Sequence, residues 1–439
     1  MLAATLVAIK TLHITNSYHP ASGGIRTFYH ALLEAANRHR RFVRLVVPGP
    51  QTLVEEVGRF GRIYHVAAPR VPILDSRYRW MLPHTYAWRH DSALRRILAV
   101  EQADLVEVCD KFWLLYLSGV LRRRWIPGVP VPVIVGLSCE RLDDNMRSFV
   151  SAGWAAQSVC QRYMRSCYVP RFDFHVAASD YIAAEVRRLL PDRLRDRLHV
   201  CPMGVDFEAF RGPLDGCEKR RELLGRAGGG ERTALLLFAG RLSKEKNLVV
   251  LPDVLAKLAG QSHLDYRLIV AGDGPFSEAL RESLERYAPG RSLFLGHCGK
   301  EDLRALYHAA DVFIHPNPRE PFGIAPLEAM AAGLPLVAPA SGGVLTYANE
   351  ENAWLCQNTA AGYAEAVENV RADATISGKK IAQARRTAEE FSWTRVTANY
   401  FHLYDEFHEW FVREGVRDEG GRLAGDQLKR APTARHSCR

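Results

Sequence analysis

Two acids eight positions apart, Glu320 and Glu328, bracket the run PFGIAPL within HPNPREPFGIAPLEAMAAGLPLVAP, residues 315–339. The residues ahead of them, DVFIHP, read as a buried strand, and NPREPFG reads as a Pro-rich loop at its carboxyl end. A helix then starts near Gly323. Pro326 suits its first turn, where a missing N–H costs little, and Gly333 with Pro335 marks its end. Such a start presents the free N–H groups of Phe322, Gly323 and Ile324, a ready place for phosphate or sugar oxygens. Glu328 lies four residues beyond Ile324 and shares its face. A carboxylate at that mouth repels phosphate but accepts hydrogen bonds from hydroxyls, such as those of a ribose or a sugar. Either acid alone fits a surface position equally well. The pair with PFG between them is the stronger signal.

A second group of candidates lies in FAGRLSKEKN. A buried strand ends at Gly240, and Arg241 and Lys246 follow in the loop before the next helix. That placement makes both available to a diphosphate, Arg241 as a two-pronged fork and Lys246 as a point charge. A solvated basic turn is the plainer alternative, and Lys244 is its best member. Gly23 and Gly24, in SYHPASGGIRTFYH, directly precede a helix, and paired glycines let a backbone approach a ligand closely. An ordinary strand–helix turn would also use them. Gly342 and Gly343 after LPLVAP carry the same two readings. No GxxxxGK[ST] loop is present, and GDGPFS at 272–277 comes too late in its strand–helix unit for a dinucleotide fingerprint. No Asp-x-Asp pair and no other metal-ligand spacing is visible, so the expected metal content is none.

These residues need strand ends and helix starts to position them, and the chain supplies both in alternation. In the first half TLHIT, FVRLVV, ADLVEV, PVIVG and FHVAAS are short apolar runs separated by helical patterns such as FYHALLEAANRH. In the second half ALLLFAG, YRLIVAG, SLFLG, DVFIHP and LPLVAP alternate in the same way with KEDLRALYHAA and its like. Strand–helix alternation predicts parallel sheets covered by helices on both faces. The pattern breaks near HVCPMGVDFEAF (199–210), so two doubly wound halves are expected, with ligands at the carboxyl ends of the strands and a cleft between the halves. The expected domains are residues 1–205 and 206–391. FSWTRVTANYFHLYDEFHEWF reads as a long amphipathic helix over 392–411, and 415–439 as a polar, disordered tail.

Composition bounds the rest. With 439 residues, 47% hydrophobic and 24% charged, the chain has the makeup of a soluble globular protein of about two domains. No run of about 18 apolar residues suggests a spanning helix, and MLAATLVAIKTLHIT lacks the basic start of a signal peptide. The nine cysteines form no CxxC pair, which points to reduced thiols and a cytoplasmic setting. The net charge of +9 favours an anionic partner. No zinc-finger spacing or RNA-binding aromatic motif accompanies it, so no nucleic acid is expected. Arg38 to Arg41, Arg122 to Arg124 and RYRWMLPHTYAWRH (77–90) would instead suit a peripheral contact with an anionic inner membrane leaflet. A solvated face explains them equally well.

Together GRLSKEKN, VAGDGP, DVFIHPNPREPFGIAPLEAMAAGLPLVAP and the following SGGV resemble the C-terminal half of the retaining glycosyltransferases of family four, whose E-x7-E motif matches EPFGIAPLE. These blocks span roughly 235–345. HPASGGIRTF and PMGVD resemble the family more loosely. The resemblance implies a GT-B fold, two Rossmann-like domains facing across a cleft, with the C-terminal helix crossing back to the first. It implies metal-independent transfer of a mannose- or glucose-type hexose from a nucleotide-diphosphate sugar, with retention, to a glycan, lipid-linked or small-molecule acceptor. The nucleotide sugar is a co-substrate, so no cofactor is expected. By the same resemblance Arg241 and Lys246 hold the diphosphate and Glu328 the ribose. Glu320 with Phe322, Gly323 and Ile324 holds the sugar, Gly23 and Gly24 approach the diphosphate, and the backbone near Cys298 meets the base.

Two positions depart from the family. Where many members have His after the strand PVIVG, this chain has Cys139, in LSCERLDD. A thiol does not reproduce imidazole hydrogen bonding. SCERLDD is nonetheless similar to the SHERLD of members thought to use GDP-mannose. Asn247 stands where EKG is common. Two alternatives of the same fold stay open at this point, a nucleotide-sugar 2-epimerase and a non-catalytic binding partner.

Overall fold

The structure, a computed structural model, describes residues 9–18, 23–71, 78–149, 153–212, 216–261 and 263–414. The run MLAATLVA at 1–8, the HPAS ahead of Gly23, Arg77 and the tail 415–439 lie outside the described residues. The chain divides into two compact units, Met1–Pro202 with Thr394–Arg439, and Met203–Trp393.

The first unit is built on an eight-stranded sheet in the order β3-β4-β2-β1-β5-β6-β7-β8. Its strands are β1 Thr11–Thr15, β2 Val43–Gly49, β3 Leu53–Val57, β4 Gly61–Ala67, β5 Leu105–Cys109, β6 Val133–Ser138, β7 Phe174–Ala177 and β8 Leu198–Val200. β1, β2, β5, β6 and β7 are buried along their whole lengths, as strands covered on both faces must be. The wholly parallel sheet expected from the sequence needs one correction. β3 pairs antiparallel with β4 and forms an exposed edge. Glu55 and Glu56 on that edge discourage pairing with another chain.

Helix Trp393–Glu414 supplies its residues from Thr394 onward to this unit. Its buried positions Tyr400, Tyr404 and Phe407 recur at helical spacing. The Phe407 ring stacks on Phe174 of β7 at 4.0 Å, and Trp410 meets Phe174 edge-on at 5.2 Å. Tyr400 Oη donates to the Cys201 carbonyl at 2.7 Å, and Tyr404 Oη donates to Glu107 Oε2 at 2.5 Å.

The second unit carries six strands in the order β11-β10-β9-β12-β13-β14. They are β9 Thr233–Ala239, β10 Asp265–Ala271, β11 Ser292–Gly296, β12 Val312–Ile314, β13 Leu336–Pro339 and β14 Trp354–Cys356. Their ladders are all parallel. Leu236, Phe238, Leu268, Val270, Val312 and Val337 form its core with Leu251, Val254 and Leu258 of helix Leu251–Gln261.

Part of the basic character is consumed internally. Arg41 forms a two-pronged pair with Asp405, Arg38 donates to Thr394 Oγ1 at 3.0 Å, and Arg122 pairs with Asp173 at 3.0 Å. Arg40, Arg123 and Arg124 stay exposed, as does Trp88, while Met81 and Tyr86 are core residues. Among the described residues all eight cysteines are free thiols, and no helix is long and apolar enough to cross a membrane.

Candidate active site

Four strand-end loops of the second unit, those after β9, β10, β12 and β13, are stitched together. The loop after β9 holds Arg241, Lys246 and Asn247. Asn247 adopts a left-handed conformation, φ 54°, which Asn tolerates better than most residues. Its amide donates to the Pro316 carbonyl at 2.8 Å and to Asn358 Oδ1 at 3.0 Å. The Asn247 side chain thus ties the β9 loop to the β12 loop. The GDGP turn after β10 packs onto the β9 loop so closely that a Cβ on Gly272 would lie 1.9 Å from the Gly240 carbonyl oxygen. That contact accounts for the glycine without a phosphate.

The loop after β12 runs from His315 to Gly323 and leads into helix Ile324–Ala332. The turn after β13 clamps it from the other side. Gly343 N–H donates to the Glu320 carbonyl at 2.6 Å, and a Cβ on Gly343 would fall 1.8 Å from the Pro321 carbonyl oxygen. Ser341 Oγ donates to the Pro318 carbonyl at 3.1 Å, and Tyr347 Oη to the Gly323 carbonyl at 2.5 Å. Gly342 and Gly343 are therefore structural residues that let two loops touch.

Within this clamp Glu320 is buried, its side chain 8% exposed. Lys246 Nζ lies 3.1 Å from Oε1 and 2.9 Å from Oε2, and Asn317 Nδ2 donates to Oε2 at 3.0 Å. Burial alone would raise the carboxyl's pKa. The Lys246 ammonium, the neighbouring His315 and the donated hydrogen bonds overcome it and hold Glu320 below its ordinary value. His315, 5% exposed, has Nε2 at 3.6 Å from Glu320 Oε2. Burial lowers its pKa to about 4, against the pull of Glu320, so the ring is neutral at pH 7.

Glu328 belongs to a separate set of bonds. Its Oε2 accepts from Tyr307 Oη at 2.8 Å, and Tyr307 also lies 3.3 Å from the Ala325 carbonyl. Burial raises the Glu328 carboxyl to about 7, with the Tyr307 hydrogen bond opposing the rise. The two acids are thus in opposite states, one firmly ionised and the other poised near neutrality.

The sequence-derived candidates of this unit fall into place unevenly. Lys246 and Glu320 are in direct contact, and Arg241 shares the β9 loop, partly buried. Lys244 is exposed. The Phe322 ring is 3% exposed and packs on Tyr347 at 5.2 Å, so only its backbone can meet a ligand. Gly323 and Ile324 stand at the helix start, partly buried. Cys298 follows β11, its thiol 3.6 Å from the Gly296 carbonyl and raised in pKa by burial. His315, Asn317 and Tyr307 escaped the sequence reading. Asn317 and His315 sit inside HPNPRE, where two polar residues ahead of an acid were a usable signal. Tyr307, in ALYHAA, looks like an ordinary core residue.

In the first unit Gly23 caps helix Gly24–His39, and no described atom lies within 4 Å of where its Cβ would be. Cys139 follows β6 with its thiol 3.8 Å from that of Cys109. This thiol contact and burial raise the Cys139 pKa well above the ordinary value, leaving a neutral thiol. Lys111 Nζ donates to the Glu140 carbonyl at 2.5 Å and to Glu185 Oε2 at 2.8 Å, pinning the same loop.

Comparison with known proteins bears on the fold and the activity. Residues 220–390 match the family described as glycosyl transferases group 1. The chain is 28% identical over 396 residues to a GDP-mannose-dependent alpha-(1-6)-phosphatidylinositol dimannoside mannosyltransferase of Mycobacterium tuberculosis, covering 89% of this chain and 94% of the relative. It is 26% identical over 346 residues to a GDP-mannose-dependent alpha-mannosyltransferase of Corynebacterium glutamicum, covering 77% and 74%. In fold it resembles sucrose-phosphate synthase from Thermosynechococcus elongatus, with TM-score 0.73 at 20% identity over 92% of this chain and 100% of that one. With two units built on largely parallel sheets, and with residues 220–390 matching the group 1 glycosyltransferases around the E-x7-E loop after β12, the chain is a glycosyltransferase of the GT-B fold.

Proposed function

We propose that the chain transfers a mannose-type hexose from a nucleotide-diphosphate sugar, GDP-mannose first among candidates, to a glycan or lipid-linked acceptor with retention of configuration. The observation that carries this reading is the ion pair between half-buried Lys246 and buried Glu320 at the strand ends, beside a helix N-terminus. An ammonium and a helix start suit the departing diphosphate, while a firmly ionised carboxylate suits sugar hydroxyls. Arg241 adds a fork for the diphosphate, Glu328 accepts from ribose hydroxyls, and the backbone at Cys298 meets the base. Gly23 and Gly24 as diphosphate neighbours, and Cys139 in place of the family's histidine, rest on the resemblance alone. The chemistry is orientation plus charge stabilisation of an oxocarbenium-like state, with the leaving phosphate assisting attack on the same face.

The two similar enzymes named for GDP-mannose support the choice of donor, and the phosphatidylinositol dimannoside in one name supports a lipid-linked acceptor. Exposed Arg40, Arg123, Arg124 and Trp88 would favour an anionic membrane surface. Purified chain should be warmed with GDP-, UDP- and ADP-sugars and scored by thermal shift, since ligand binding raises apparent stability. GDP-mannose should give the largest shift and, with a mannosylated lipid acceptor, an α-linked product. Free nucleotide released without any acceptor would favour the epimerase reading, and an inverted product would refute retention.

A further inference from the structure

His315 is an unusual companion for a buried acid. Its backbone is locked, with N–H donating to the Val337 carbonyl at 2.9 Å and its carbonyl 3.4 Å from Tyr363 Oη. Its Nε2 is buried and makes no hydrogen bond, although Glu320 Oε2 lies 3.6 Å away. A buried ring nitrogen without a hydrogen bond is costly to keep. The same Oε2 is already taken by Lys246 and Asn317.

Substrate changes that arrangement. A diphosphate is a stronger partner for an ammonium than a single carboxylate is, so Lys246 would turn toward it. Glu320 would then keep only Asn317 and carry a buried charge with too few donors. An unused donor stands close by in His315, whose Nε2–H has to close only about 0.7 Å to reach the usual hydrogen-bond length. Burial keeps that ring neutral, with one proton to give and no added charge.

We infer that His315 is a positioning residue that takes over the Glu320 hydrogen bond when Lys246 turns to the substrate diphosphate. The inference rests on the transferase reading above. It explains why an unpaired nitrogen is tolerated in the free protein, because the partner arrives in the next step. With Oε2 held by His315 and Asn317, Oε1 is left to accept from a sugar hydroxyl.

A double-mutant cycle in the ligand-free protein tests the contact without any substrate. Lys246→Met should destabilise modestly, since His315 then covers Glu320. Adding His315→Leu should lower the folding equilibrium constant about tenfold beyond the product of the two single changes. His315→Gln, whose amide nitrogen reaches toward the same place, should recover most of that loss. Additive single changes would overturn the inference. In turnover, His315→Leu should cut kcat by about 10- to 100-fold while the Kd for GDP stays within about threefold, with Gln restoring much of the rate. Parallel loss of GDP binding and turnover, with no rescue by Gln, would reduce His315 to a packing residue. If GDP-mannose were neither bound nor turned over, the proposed donor would be wrong, yet the cycle would still decide the contact.

Discussion

Lys246 reaches both oxygens of Glu320, so under the proposed function a substrate's diphosphate and its sugar would compete with this pair for the same two groups. Glu320→Ala and Lys246→Ala should each lower turnover by roughly 10²–10³-fold, the range for losing one preorganised electrostatic group. Circular dichroism should show both variants folded, because Lys246 is a quarter exposed and can reach water. Retention of near-full rate by either would remove that residue from the site. Glu328 gives a pH test. Its carboxyl rises from 4.5 to about 7 on folding, so the folded state holds an extra proton between those values. The resulting stability, no more than about 3 kcal/mol, is complete below the unfolded pKa and lost as pH rises through about 7. Relative to Glu328→Gln, the native chain should therefore lose stability across that window in urea titrations. Donor binding should run the opposite way, tightening from pH 6 to 8 if ribose hydroxyls need the carboxylate, and Gln should flatten the slope. Residue types and spacing made Lys246 and both acids legible. That Lys246 and Glu320 touch was not, since they lie 74 positions apart and only the strand order β9-β12 joins them.

The loop after β12 owes its shape to its neighbours more than to its own sequence. Gly343→Ala would push a methyl group into the Pro321 carbonyl. It should lower stability by about 2–4 kcal/mol and reduce turnover, although no reacting group is altered. Thermal unfolding together with donor-binding calorimetry would show both effects, and an unchanged melting temperature would mean the clamp yields easily. Strand runs of Val, Ile and Leu announced the central strands, because burial on both faces demands continuous apolar residues. β8 and β14, three residues each, are too short to carry a period. β3, LVEEV, is exposed along most of its length and has no apolar face to betray it. SGGV admitted both a ligand reading and a plain turn from its glycine content; in the fold Gly343, like Gly272 in GDGP, serves loop-to-loop contact. Glycine reports close approach without saying to what.

For the molecule as a whole, two units with separate sheets make a single unfolding transition a poor expectation. Phe407→Ala removes a ring stacked at 4.0 Å on Phe174 and should cost the first unit about 3–5 kcal/mol. Calorimetry should show one transition falling while the other, from Met203–Trp393, stays in place. A common shift of both would mean the units melt together. The long C-terminal helix was readable from its periodicity, and its return to the first domain from the family resemblance; the residues it meets there were not, since Tyr404 and Glu107 stand 297 positions apart. This last contact bears on biosynthesis. The first unit emerges early but lacks Tyr400, Tyr404, Phe407 and Trp410 until Met203–Trp393 has also been made. At roughly 5–20 residues per second that is a wait of about 10–40 s with an uncovered apolar seam. The nascent first unit should therefore expose that seam to any chaperone at the ribosome during the wait, while the second, continuous in sequence, can close as soon as it clears the exit tunnel.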